Sequence, residues 1–386
     1  AMRALEKERK KNLKSPMERK HESVTTGFDQ GWQISDISNL SETAMKDAQS
    51  RWDHVAKPLH SLGLLEDALV RIAGIQGTSQ IDLTKRALVI MCADNGVVEE
   101  GVTQTGQDVT AVVTRNFTAG DSCVCLMADR ADVDVFPVDI GVADPMEDCH
   151  EVHPLIRKKV RSGTRNFVKE PAMTREEVQK ALQVGIELVK ELKEQDYHLI
   201  ALGEMGIGNT TTSSAVACAI LGLEPERMTG RGAGLSDEGL KKKQRVIREA
   251  LAHYAPDPAD GIGVLSAVGG LDLAGLAGVC IGGAMYHVPV VLDGVITAAA
   301  ALAAQTICPG VSNYLLASHV SAEPAGRLIL ERLGLTAAID GHLCLGEGTG
   351  AMAFMPLLDM ALEIYEKMST FEDIHIEEYK ELNEQK

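Results

Sequence analysis

The sequence predicts an α/β protein built on a mostly parallel sheet with flanking helices. Short apolar runs, too brief for helices, alternate along the chain with longer helical patterns. Most of these runs end in Gly, Asp, Glu or Ser just before a helix start, which is the mark of strand–turn–helix units. In such folds ligands bind at the carboxyl ends of the strands, so these turns converge although they are far apart in sequence. Composition agrees: of 386 residues, 45% are hydrophobic and 24% charged, which suits one large domain or two smaller ones.

Residues 1–24 are polar and rich in Lys and Arg, and are expected to form a disordered tail. From about Ser38 to Ile75 the pattern is helical. Ser41-Glu42-Thr43 marks a start, and Leu59, Leu62, Leu65, Leu69 and Ile72 follow at three- and four-residue spacings. Ala87–Cys92 is a buried strand that stops at Ala93-Asp94-Asn95-Gly96. A polar, glycine-bearing stretch from Gly101 leads to a helix over about Val109 to Phe117. Val133–Val138 is the next strand, and Gly163–Phe167 a loop. The helix from Thr174 to about Gln195 carries Glu176 and Glu177 in its first turn, where the helix dipole favours acids. Leu199–Leu202 runs as a buried strand into the turn Gly203–Thr212, followed by an Ala-rich helix capped by Asn209 or Thr210. Ser236 caps a helix that begins with Asp237 and Glu238 and continues through Lys241-Lys242-Lys243. Val264–Val268 and Val288–Leu292 read as strands, the second ending in Asp293-Gly294. Ser318–Gly326 reads as a strand end entering a helix. Leu343–Ala351 holds the last turn, before an apolar helix from Met352 to Tyr365 and an acidic tail.

The net charge of −17 argues against nonspecific binding to nucleic acid and against an anionic membrane surface. The eight cysteines form no C-x-x-C pair, and five lie in apolar segments. They read as small core residues in a reducing compartment, with the cytoplasm as the expected location. The apolar region from Leu271 to Ile307 is interrupted by Asp272, His287, Pro289 and Asp293, so it reads as buried strand and helix and not as a membrane span. No cluster with metal-ligand spacing is visible, and neither metal nor cofactor is expected.

The stretch Gly203–Thr212 is the most informative turn. Its three glycines let backbone approach a ligand, and the helix start behind it favours an anion. It matches neither the dinucleotide fingerprint nor the P-loop. Glu204 would repel a phosphate, so it is expected to face a sugar hydroxyl, a ring N–H or a cationic ring. By itself the stretch is equally consistent with a βα turn carrying a solvated Glu.

Five turns together resemble one family. They are Gly203–Thr212, Arg231-Gly232-Ala233-Gly234-Leu235, Val290–Gly294, Ser318–Glu323 and Leu345–Ala351. Over about residues 30 to 365 they resemble the nicotinate-nucleotide:dimethylbenzimidazole phosphoribosyltransferases. The resemblance implies that nicotinate mononucleotide gives its phosphoribosyl group to a benzimidazole, with inversion at the sugar C1. The products are α-ribazole 5'-phosphate, for the lower ligand of cobalamin, and nicotinate. It implies a homodimer with a Rossmann-like catalytic domain at 83–354 and a small helical domain from both chain ends, 25–82 with 355–386. It also places Glu347 as the catalytic base and Glu204 at the reacting centre. Gly206, Gly234, Lys243 and Ser321 match nucleotide-lining positions, with Lys243 either the phosphate partner or a surface lysine. Gln107 matches a polar residue of the base pocket. Asp293 and Gly294 lie beside the sugar, or form only a turn. Gly208 and Asn209 belong to the same nucleotide-facing turn as Gly206. Met205 and Leu345, each next to a carboxylate, are the expected walls of the base slot, closed at its far end by Thr103–Gln107.

Two turns depart from the family pattern. Many members carry His at the Asn95 position, and Gly101–Asp108 lacks the aromatic and proline-bearing versions. Both lie near the expected base pocket and bear on which base is used. A relative acting on a purine or phenolic base is one alternative, and a non-catalytic nucleotide-binding homologue another. Retention of both Glu204 and Glu347 argues against the second. A pyrophosphate-sugar transferase would need an acidic pair before a Thr/Gly loop, and no such stretch is present.

Overall fold

The computed structural model describes residues 37–380, so the expected tail at 1–24 lies outside the described residues. The first helical pattern resolves into two helices, α1 (Glu42–His54), capped by Ser41, and α2 (Leu64–Gln76). Leu59 and Leu62 fall in the turns between them. Strand β1 (Arg86–Ala93) is buried along its whole length and leads through the Asp94-Asn95 turn to helix α3 (Asp108–Ala119) and then α4 (Cys123–Arg130). Strands β2 (Asp134–Gly141) and β3 (Ile156–Arg157) follow. Helix α5 (Arg175–Glu194) opens on a capping box in which Thr174 and Glu177 satisfy each other's backbone amides.

Strand β4 (Leu199–Met205) feeds α6 (Asn209–Leu221). Helices α7 (Pro225–Met228), α8 (Asp237–Tyr254), α9 (Gly261–Val268) and α10 (Leu271–Tyr286) come next. The chain closes with β5 (Val290–Leu292), α11 (Val295–Ile307), β6 (Leu315–Ala317), α12 (Ala325–Leu333) and α13 (Thr349–Lys367).

The six strands form one sheet in the order β3-β2-β1-β4-β5-β6, and every pair is parallel. This is the doubly wound order, with its crossover point between β1 and β4. Both faces are covered, which is why β1 reads as an unbroken apolar run instead of an alternating one. Leu88, Ile90 and Cys92 face a core shared with Trp52, Leu69, Phe117, Val124 and Met355. Met91 points to the other side, against α10 at Gly275. At the chain ends, α1 and α13 are tied by a Trp52–Tyr365 ring contact at 5.1 Å and by Arg51 Nε donating to the Tyr365 carbonyl at 2.9 Å.

Two sequence expectations are corrected. Val264–Val268 is not a strand but most of α9. A run of five residues, four of them apolar, has no readable period, and the Asp260 side chain accepts from the Gly263 amide to start a helix there. The cap of α6 is neither Asn209 nor Thr210 but Gly208, with φ at 95°. The chain must turn back sharply from β4, and a left-handed residue does this one position before a polar side chain could cap it. Among the described residues no helix is long and apolar enough to cross a membrane.

Candidate active site

A cleft of about 240 Å³ opens at the carboxyl ends of β4, β5 and β6. Glu204, Met205, Gly206, Asn209, Asp293, Gly294, Ser321, Leu345 and Glu347 line it. Nine of the expected positions, from four separate turns, thus meet on one surface. Gly208, Gly234, Lys243 and Gln107 are not in the lining.

Glu204 is the next-to-last residue of β4 and is buried. The Asn209 side-chain amide donates to its Oε2, and the Glu347 backbone amide lies 3.4 Å from its Oε1. Burial pushes the Glu204 carboxyl up to about 8, helped by the nearby Asp272 and Asp293 carboxylates and opposed by the Asn209 bond. Asp272, in the first turn of α10, is itself pushed to about 7 by burial. A buried acid with this character favours a cationic neighbour over an anionic one.

Glu347 reaches the same cleft from the loop before α13. Its backbone lies directly on β4: a Cβ at Gly203 would collide with the Glu347 carbonyl oxygen. Gly203 is therefore needed for contact with protein, not with ligand. Glu347 has φ at 63°, in the left-handed region that a non-glycine residue rarely adopts. Its carboxyl is half-buried, and that burial, with Asp293 nearby, holds it above the ordinary carboxylate range against the opposing Val124 amide.

Asp293, at the end of β5, is buried, and its carboxylate accepts backbone amides from Gly348, Gly350 and Ala351. Lys243 is fully buried in α8, behind the wall formed by Thr210 and Gly232. Its Nζ donates to Thr210 Oγ1 at 2.8 Å and to the Gly230 carbonyl at 3.3 Å, and burial pushes it down to about 8. It is not a surface lysine, although Lys241, two residues before it, is exposed. Ser321 Oγ accepts the Glu323 amide, and Glu323 Oε1 accepts the Gly232 amide at 3.1 Å, joining two walls of the cleft.

Met205 and Leu345 both line the cleft, the first buried and the second exposed. The segment Thr103–Gln107 lies outside the lining. Gln104 donates to the Gly234 carbonyl, and Gln107 faces Gly163. Sequence reasoning gave no role to His319, Asp272 or Glu323. His319 lies within a quoted motif but at a strand end where many polar residues fit. Asp272 sits in an apolar region, where an acid is itself the signal. Among the described residues no group of three or more His, Cys, Asp or Glu could hold a metal ion.

An open parallel sheet with four carboxylates at its crevice, Glu204, Asp293, Glu323 and Glu347, and a buried cation behind it has the layout of an α/β enzyme's ligand site. The model of the phosphoribosyltransferase family matches residues 37–376. The nicotinate-nucleotide–dimethylbenzimidazole phosphoribosyltransferase of Acetivibrio thermocellus is 46% identical over 347 residues, covering 90% of this chain and 98% of the relative. The enzyme of the same name from Clostridium acetobutylicum is also 46% identical, over 350 residues and the same two shares. The CobT crystal structure from Thermus thermophilus superposes with a TM-score of 0.82 at 40% identity, covering 87% of this chain and 100% of that one. The chain belongs to the nicotinate-nucleotide–dimethylbenzimidazole phosphoribosyltransferase family.

Proposed function

We propose that this chain transfers the phosphoribosyl group of nicotinate mononucleotide to dimethylbenzimidazole. The products are α-ribazole 5'-phosphate, for the lower ligand of cobalamin, and nicotinate. The observation that carries the reading is the meeting of Glu204 and Glu347, from separate elements, in one cleft at the carboxyl edge of the sheet. The names of the relatives support the choice of substrates.

In this reading an imidazole nitrogen of the base attacks the sugar C1 from the face opposite nicotinate. The bond to the pyridinium nitrogen breaks, its electron pair stays on the ring, and nicotinate leaves with a neutral ring nitrogen. The other base nitrogen loses its proton to Glu347, whose raised affinity for protons suits a general base. Glu204 faces the positive charge that leaves the pyridinium and develops at the sugar, and a cation there favours its ionised form. The phosphate rests among Gly206, Ser321, Gly232 and Thr210, with Lys243 behind them. Gly208 and Asn209 shape the turn that carries Gly206, Gly234 shapes the neighbouring turn at Arg231–Leu235, Gly294 adjoins the sugar, and Gln107, facing Gly163, stands outside the slot lining. We also infer a homodimer working in the cytoplasm, consistent with eight cysteines lacking any paired motif. Helices α1 and α2, with most of α13, form its small domain.

The base slot has a flexible wall in Met205, which fits several ring shapes. One methyl group changes binding by only about 1–3 kcal/mol. Dimethylbenzimidazole and unsubstituted benzimidazole are therefore expected to turn over within about tenfold of each other. Adenine is expected to be much slower, because its exocyclic amine would be buried without a partner. Competition between pairs of bases, followed by nicotinate release and product mass, reads this directly. A strong preference for adenine or a phenol would mean that the turns at Asn95 and Thr105 have remodelled the slot.

A further inference from the structure

Asp293 lines the cleft, yet both of its carboxylate oxygens are engaged by the segment that follows Glu347. Oδ2 accepts from the Gly348 amide at 3.2 Å. Oδ1 accepts from Gly350 at 2.7 Å and from Ala351 at 3.2 Å. These amides lie at the start of α13, which has no side-chain cap of its own because Gly348, with φ at 105°, occupies the cap position. Asp293 is thus the cap of a helix that lies more than fifty residues further on, and a carboxylate at a helix N-terminus also suits the helix dipole.

Asp293 is held firmly for this task. Its amide donates to Thr297 Oγ1 at 2.9 Å in α11, and its carbonyl accepts from Ser318 Oγ at 3.2 Å after β6. The His319 ring closes the remaining side, with Nδ1 4.0 Å from Asp293 Oδ1. Gly350 packs so closely on that ring that any Cβ would collide with Nδ1. The residue one step before the tethered amides is Glu347, at its left-handed φ of 63°. Such a conformation persists only where the surroundings over-determine it.

We propose that Asp293 is a positioning residue for the base: it holds Glu347 in the cleft through the backbone of 348–351, instead of binding the sugar. This rests on Glu347 being the base.

The test is a double-mutant cycle of Asp293→Asn and Glu347→Gln, read in kcat, KM for nicotinate mononucleotide and calorimetric affinity for it. Asp293→Asn keeps the shape but turns a donor towards the Gly348 or Gly350 amide. It is expected to lower kcat by about tenfold or more while nucleotide affinity stays within about twofold. In the Glu347→Gln background the same change is expected to cost less than about twofold further, since both act on one group. Hydrogen exchange of residues 346–351 should rise in Asp293→Asn, with the rest of the protein unchanged. A raised KM with kcat intact, or losses that multiply across the cycle, would overturn the proposal in favour of direct sugar contact. Full turnover in Glu347→Gln alone would instead remove the base assignment, and this proposal with it. Should the Asn variant not fold, Asp293→Glu, which shifts the oxygens by one methylene, is read by the same criteria.

Discussion

Replacing Glu347 by Gln is expected to lower turnover by roughly 10²-fold or more, because a positioned base contributes about 10²–10⁴-fold. The amide keeps the size of the side chain and one acceptor but cannot take a proton. Glu347 touches the rest of the protein by its backbone, with its carbonyl against Gly203 and its amide near Glu204, and by its carboxyl at the Val124 amide, for which the Gln variant keeps an acceptor. Nucleotide affinity should therefore be nearly unchanged, and the loss should fall on kcat. The pH profile gives a second reading. Burial and Asp293 raise the Glu347 carboxyl above its ordinary 4.5, so the wild-type rate should fall with decreasing pH through a value above that. The limb belonging to Glu347 should be missing in the Gln variant. Near-full activity in Glu347→Gln would reject the assignment.

Replacing Lys243 by Met is expected to raise KM for nicotinate mononucleotide by roughly tenfold to a hundredfold, since the buried charge acts on the phosphate across the Thr210–Gly232 wall and its loss also leaves Thr210 without the Nζ donor. Kinetic saturation by the free base should change little. Met nearly fills the space of a fully buried lysine, so the variant tests the charge more than the packing. The wild type should also lose nucleotide affinity as pH rises past about 8, where burial allows Lys243 to shed its proton. The Met variant should not show that decline. Equal effects on nucleotide and base would make Lys243 a structural residue that only braces Thr210 and Gly230.

Much of this arrangement is legible in the sequence because its signals are local. Ala87–Cys92, Leu199–Leu202 and Val290–Leu292 are apolar runs with a polar or glycine turn at one end, and each is a sheet strand here. The rule that strand ends converge then brings Glu204, Asp293 and Ser321 together without any long-range contact being known. What escapes notice depends on the third dimension. The run Val264–Val268 has too few residues to show a period, and its helix is set by Asp260. Helix α4 is too short to show a clear pattern, although Ser122 caps it. The burial of Lys243 cannot be read from a Lys-Lys-Lys run, because three successive side chains on a helix face three directions. The roles of Asp293 and Asp272 are likewise hidden. One caps a helix that begins at Thr349, and the other raises Glu204 from a different element.

The central claim is a single group transfer from nicotinate mononucleotide to a benzimidazole nitrogen. The most direct measurement incubates the wild-type protein with both substrates and quantifies nicotinate and α-ribazole 5'-phosphate in the same samples over time. The account predicts that the two appear together in equal amounts, and that nicotinate release nearly stops when the base is left out. Nicotinate released at the same rate without base, or a ribosyl product in the β configuration, would contradict it.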